Sequence, residues 1–270
     1  MRPLRDRPHL VVGLGAGGVT EGRAAVSRPG TERIARLFDQ AARRYDRQMG
    51  FFERLLFGGA RAWATSKARG AVVELGVGTG LNLPRYGDRV ERVIGVDVSE
   101  GMLGVARRRV ADHGLRGVEL RKGDAQALDL PDATADTVVS TFTFCTIPDP
   151  GAASREAHRV LRPGGTFVLA EHGPPTHPLA RAVMRAAEPL SILLAADHLT
   201  RDPVPYLERA GFTVSEVHRG GLGGMVFRVL ARRDDGLGGG SEPPPVADRS
   251  LVVGSMAPAP WRGPPAHRRR

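Results

Sequence analysis

Val72-Val-Glu-Leu-Gly76-Val-Gly78-Thr-Gly80 is the stretch whose reading decides the fold. Ala71 to Leu75 is a short, nearly all-apolar run that meets three glycines at alternate positions. Such a run bounded by glycine reads as a buried strand entering a tight turn. The glycines let the backbone approach a ligand closely, and a helix expected after them would present free N–H groups. About 20 residues further on, where dinucleotide-binding folds carry a ribose-binding acid, Val93-Ile-Gly-Val-Asp97 ends a second strand in a carboxylate. A third element, Gly123-Asp124-Ala125, closes a third strand and is suited to address an adenine amino group.

Outward from this centre, strands and helices alternate. Strands are expected at Ala71–Leu75, Val90–Val96, Val118–Arg121, Ala135–Thr141 and Thr166–Ala170, with a closing hairpin of Thr213–His218 and Met225–Ala231. Helices are expected from an N-cap at Thr31 through Tyr45, then over Phe51–Ala68, Glu100–His113, Ala152–Leu161 and Val204–Ala210. The order implies βαβ crossovers and an α/β, doubly wound, Rossmann-like seven-stranded sheet, mostly parallel with an antiparallel edge strand. Leu179 to Ala196 is apolar-rich and interrupted by Pro189. It reads either as a lid over a hydrophobic acceptor, with possible membrane contact, or as an ordinary packed helix.

The chain has 270 residues, 41% of them hydrophobic and 25% charged, enough for one α/β domain with a sizeable core. Its 35 glycines and 21 prolines crowd toward the ends. Residues 1–30 are expected to be a poorly ordered extension, 31–233 the folded domain, and 234–270 a disordered tail. The net charge of +10 comes from scattered arginines rather than a basic arm, so no nucleic-acid partner is expected. Salt-dependent RNA retention would revive that reading. A single cysteine, Cys145, excludes an internal disulfide framework and a cysteine-based zinc site, and no metal is expected. No apolar run is long enough to span a membrane. The basic start followed by Leu10–Val19 imitates a signal peptide, but its glycines and Arg23 favour a cytoplasmic protein. Gly13-Leu-Gly15-Ala-Gly-Gly18 fits G-x-G-x-x-G, yet no βαβ unit surrounds it.

The spacing G-x-G-x-G with Glu74 two residues ahead resembles motif I of the class I S-adenosylmethionine-dependent methyltransferases. The resemblance continues through Val96-Asp97-Val98-Ser99, Met102-Leu103, Gly123-Asp124-Ala125, Asp136-Thr-Val-Val139 and His158-Arg-Val-Leu-Arg-Pro-Gly-Gly165. Thr141-Phe-Thr-Phe-Cys-Thr-Ile-Pro-Asp149 and Glu171-His172 look closest to a group of ubiquinone/menaquinone C-methyltransferases, phosphatidylethanolamine N-methyltransferases and thiol methyltransferases. The resemblance implies strand order 3-2-1-4-5-7-6 and the cofactor S-adenosyl-L-methionine. It places Glu74, Gly76, Gly78 and Gly80 beside the methionine part and Asp97 on the ribose. Val98 and Met102 would line the adenine pocket, Asp124 and Ala125 would hold the ring, and Thr141 and Phe142 would face the methyl group. Tyr45 would close the site from the leading helix. His172, with Glu171, is the candidate base, and His198 a further one. The expected function is methyl transfer to a small, hydrophobic acceptor such as a quinol, amine lipid or thiol. A nucleotide-dependent oxidoreductase and a cofactor-binding module without turnover are the alternatives.

Overall fold

The computed structural model describes residues 30–57 and 59–234. The extensions and the Gly13–Gly18 motif lie outside the described residues, save Gly30 and Asp234. In chain order the elements are α1 (Thr31–Phe52), α2 (Ala60–Lys67), β1 (Gly70–Leu75), β2 (Val90–Asp97), α3 (Glu100–Asp112), β3 (Val118–Lys122), β4 (Ala135–Thr141), α4 (Pro150–Val160), β5 (Leu161–His172), α5 (Pro178–Ala195), α6 (Val204–Arg209), β6 (Phe212–Gly220) and β7 (Val226–Arg233). The strands form one sheet ordered β3-β2-β1-β4-β5-β7-β6. The pairs from β3 through β5 are parallel, while β7 runs antiparallel to both β5 and β6. The reversed strand therefore lies one place in from the edge, because the hairpin folds back into the gap beside β5.

Strand alternation sends β1 into two cores. Val73 and Leu75 pack with Ala153, Ala157 and Val160 of α4 and Leu207 of α6. Val72 packs on the opposite face with Ala60 and Ala64 of α2 and Leu103 of α3. Both faces of the central strands are covered, which explains why they read as continuous apolar runs.

Several local expectations differ from the structure. Thr31 is the first helical residue rather than the N-cap; that place belongs to Gly30, and the Thr31 hydroxyl instead donates to Asp124 Oδ2 at 2.9 Å. The expected helix Phe51–Ala68 is divided, with α1 running to Phe52, a π-helical turn over Glu53–Phe57, and α2 restarting after Gly59. No α-helix follows the glycine run. Its turns lead into a single 3-10 turn, Leu83–Arg85, with Pro84 inside it. Arg162-Pro-Gly-Gly165 belongs to β5, whose Leu161 already pairs with Ala135, so Glu171 and His172 end the strand rather than follow it.

A buried polar network ties these elements together beneath the glycine turn. Glu74 accepts from Asn82 Nδ2 at 2.7 Å and from the Tyr86 hydroxyl at 2.8 Å. Arg61, on α2, donates to Asn82 Oδ1 at 3.1 Å, to Thr141 Oγ1 at 2.7 Å and to Glu53 at 2.6 Å. One cluster thus joins α2, β1 and the end of β4. Burial pushes the Glu74 carboxyl up to about 7, against the hydrogen bonds from Tyr86 and Asn82 and the charge of Arg61. A raised carboxyl pKa favours folding at low pH, and that contribution is lost as pH rises from 4.5 through about 7. Glu74→Gln keeps the shape, since the Tyr86 hydroxyl can reverse and accept. In urea melts at pH 5 and pH 8, the variant should lose less stability than the wild type, by roughly 1–3 kcal/mol. Equal pH dependence of the two proteins would contradict this account of the network.

Candidate functional site

The loops at the carboxyl ends of β1 to β4 open onto a cleft with about 630 Å³ of empty space, its solvent-filled mouth included. Ligands in doubly wound folds bind at this end of the sheet. Of the residues singled out by sequence, Tyr45, Gly76, Gly78, Asp97, Val98, Met102, Asp124, Ala125 and Phe142 line it. Glu74, Gly80 and Thr141 do not. Glu74 and Thr141 belong to the network beneath. A side chain at Gly80 would meet Leu83 Cδ1 at 2.8 Å, so that glycine shapes the turn.

The floor of the cleft is backbone. Gly76 has φ +64, and a Cβ there would lie 2.1 Å from Thr143 Cγ2. Gly78 has φ +55 with open space where a side chain would stand. Its N–H donates to Asp97 Oδ2 at 2.8 Å, and the Ser99 N–H donates to Asp97 Oδ1 at 2.9 Å. Each oxygen keeps a further lone pair for a ligand hydroxyl, since a carboxylate offers about four acceptor sites. Burial pushes the Asp97 carboxyl up to about 6, opposed by these two backbone N–H groups.

The roof is α1. Thr31, Ile34, Phe38 and Tyr45 face the cleft at helical spacing. Three carboxylates latch this helix to the sheet. Asp124 accepts from Thr31 and, at 2.9 and 3.0 Å, from the Gln126 amide. Asp39 accepts from Ser99 Oγ at 2.6 Å and Gly101 N at 2.8 Å, which hold its pKa down. Asp46 accepts from Thr79 Oγ1 at 2.6 Å and pairs with Arg109. Burial raises the pKa of the Tyr45 phenol, which therefore stays neutral. Sequence reasoning missed Thr31, Ile34, Phe38, Gln126, Thr143 and Thr146 as lining residues. The helical spacing on α1 held a signal for the first three.

At the end of β4, Phe142 adopts φ +53, unusual for a bulky residue, and its ring stacks on Phe57 with centroids 4.4 Å apart. The His172 ring lies nearly parallel to Phe57, with centroids 6.4 Å apart, and does not line the cleft. Burial works against its protonation, but Asp197 and Glu171 beside it raise its pKa above the ordinary value. Glu171 is fully buried and accepts from the N–H groups of Phe144 at 2.6 Å, Cys145 at 3.4 Å and His172 at 3.0 Å. It holds the loop after β4 in place. His198 donates its backbone N–H to Cys145 O at 3.2 Å and does not line the cleft either. Beyond this layer, α5 runs through Pro189 without a buried residue, and Leu179, Leu193 and Leu194 are each about two-thirds exposed. The packed-helix alternative fails for this segment.

Asp97 and Asp124 are the charged residues of the cleft; no lysine or arginine lines it among the described residues. The glycine turn also lacks the following helix N-terminus that cradles a pyrophosphate in dinucleotide folds.

Residues 73–169 match the methyltransferase domain family. The chain is 48% identical over 114 residues to a phosphatidylethanolamine N-methyltransferase of Cereibacter sphaeroides, covering 42% of this chain and 56% of that protein's length. It is 31% identical over 188 residues to a demethylmenaquinone methyltransferase of Clavibacter sepedonicus, covering 65% of this chain and 74% of that protein. An S-adenosylmethionine-dependent methyltransferase structure from Thermotoga maritima shares the fold, with a TM-score of 0.57, 24% identity and coverage of 74% of this chain and 99% of that one. The glycine turn, the Asp97 carboxylate, the strand order and these relatives agree, and the chain belongs to the S-adenosylmethionine-dependent methyltransferases.

Proposed function

We propose that the protein transfers a methyl group from S-adenosylmethionine to a small, hydrophobic acceptor of the quinol, amine lipid or thiol class. The observation that carries this reading is the charge of the cleft, which presents two carboxylates and no cation. Such a surface suits a cationic sulfonium nucleoside and repels the polyanion of a dinucleotide. That disfavours the oxidoreductase alternative.

The residues fit the cofactor. Asp97 would hold the ribose diol with its two outward lone pairs, and Val98, Met102 and Ala125 would enclose the base beside Asp124. The backbone at Gly76 and Gly78 would carry the amino-acid end. When bound, the cofactor supplies an electrophilic methyl group on a sulfonium whose leaving thioether is neutral. The chain's own work is to align the acceptor and exclude water. Tyr45 and Phe38 roof the site, and Phe142 lines it from the end of β4. Because His172 and Glu171 stand outside the lining, this reading rests on alignment rather than on a protein base.

The exposed apolar face of α5 supports a hydrophobic acceptor taken from a lipid surface. No helix among the described residues is long and apolar enough to cross a membrane.

Incubation with methyl-labelled cofactor and a panel of quinols, amine lipids and thiols should label one class. Cofactor binding without transfer to any would favour the binding-module alternative. If ionised Asp97 binds the diol, the dissociation constant for S-adenosylhomocysteine should rise about tenfold per pH unit below about 6. Asp97→Asn should weaken binding roughly 10- to 100-fold, the equivalent of about 1.5–3 kcal/mol, and flatten that slope. A steep slope retained in the variant would remove Asp97 from the ribose. Leu190→Asp with Leu193→Asp should abolish flotation with lipid vesicles while leaving cofactor affinity unchanged. Flotation equal to the wild type would refute a membrane role for α5.

A further inference from the structure

We propose that Cys145, His172 and Asp197 form a binding site for a zinc ion. The three come from separate segments: the loop after β4, the last residue of β5 and the residue two past the end of α5. Cys145 Sγ, a ring nitrogen of His172 and a carboxylate oxygen of Asp197 all lie within 4.8 Å of one another. Cys145 and His172 are buried, and Asp197 is three-quarters so.

The three ligand atoms are close enough for a shared ion, with Asp197 placed to bond both His172 and Cys145 when none is bound. His172 Nε2 stands 3.1 Å from Asp197 Oδ1. This buried oxygen makes no hydrogen bond of good geometry at that separation. Two ligand atoms on a tetrahedral zinc, at about 2.0 Å from the metal, stand roughly 3.3 Å apart. The thiolate, with a bond of about 2.3 Å, needs a slightly wider spacing, and the observed spread closes by side-chain rotation of about an ångström.

The charge balance favours a divalent ion of borderline softness. A thiolate and a carboxylate neutralise zinc, and the neutral imidazole adds no charge, so the ligand set with its ion carries none. The supporting shell is built. Glu171 receives the N–H groups of Phe144 and Cys145, and the His198 N–H donates to Cys145 O. Phe57 stacks on the imidazole with its plane tilted by 10°. Arg201 donates to Phe144 O and Ile147 O, both at 2.7 Å, fixing the loop that carries Cys145. Such support orients first ligands in metal sites. The ion would clip the segment after α5 to the sheet behind Phe57 and Phe142. A lone cysteine hid the site in the sequence, because its partners lie far along the chain.

The test uses the full chain, stripped with a chelator and then titrated with zinc against a chromophoric competitor, and separately with cobalt(II). We expect one zinc per chain at micromolar or lower dissociation constant, and a raised melting temperature. The cobalt form should show tetrahedral visible bands and a thiolate charge-transfer band that is lost in Cys145→Ser. Asp197→Asn should weaken zinc at least tenfold and leave S-adenosylhomocysteine affinity intact, which shows that the fold survives. Absence of one-to-one binding, or zinc affinity unchanged in Asp197→Asn, would overturn the site. These readouts do not involve methyl transfer, so the site and the proposed activity stand or fall separately.

Discussion

The carboxylate of Asp97 receives the N–H of Gly78 on one oxygen and the N–H of Ser99 on the other. Two loops are fixed by that pair of bonds: the glycine turn after β1 and the entry to α3. The geometry is possible because Gly76 and Gly78 occupy positive φ and Gly76 leaves no room for a side chain against Thr143. The same carboxylate is partly buried and desolvated, so it is held in place at an electrostatic cost that a bound diol would offset.

Around that point the protein assembles a cleft roofed by α1. The helix is not packed by apolar contacts alone; Asp39, Asp46 and Asp124 anchor it to the opposite wall through directed hydrogen bonds. Carboxylates therefore both shape the enclosure and set its potential. No lysine or arginine faces the ligand space among the described residues. The chemistry that suits such a space is a cationic nucleoside enclosed away from water, next to an aromatic wall of Phe142 and Phe57 and an apolar helix that remains exposed.

Much of this architecture was legible in the residues. Continuous apolar runs such as Ala71–Leu75 marked strands buried on both faces, and the strand order follows the family resemblance. Asp97 and Asp124 stand out as short carboxylates at strand ends, whereas Tyr45 was placed by the family resemblance alone. Tertiary partners could not be read. Glu74 precedes the glycines by two and looks like a ligand residue, yet Asn82 and Tyr86 draw it beneath the turn. Thr31 looks like a cap and is instead a latch on Asp124. The helix expected after the glycines fails because successive turns and Pro84 shorten it to a 3-10 turn. The meeting of Cys145, His172 and Asp197 depends on where three segments end, which local pattern does not carry.

The most direct measurement is a calorimetric titration of the protein with S-adenosylhomocysteine, with NADH as the comparison ligand. A cleft lined by carboxylates and backbone predicts saturable one-to-one binding of the sulfur nucleoside and none of NADH. Saturable binding of NADH alone would contradict the account, since it would require a pyrophosphate cradle that this glycine turn does not provide.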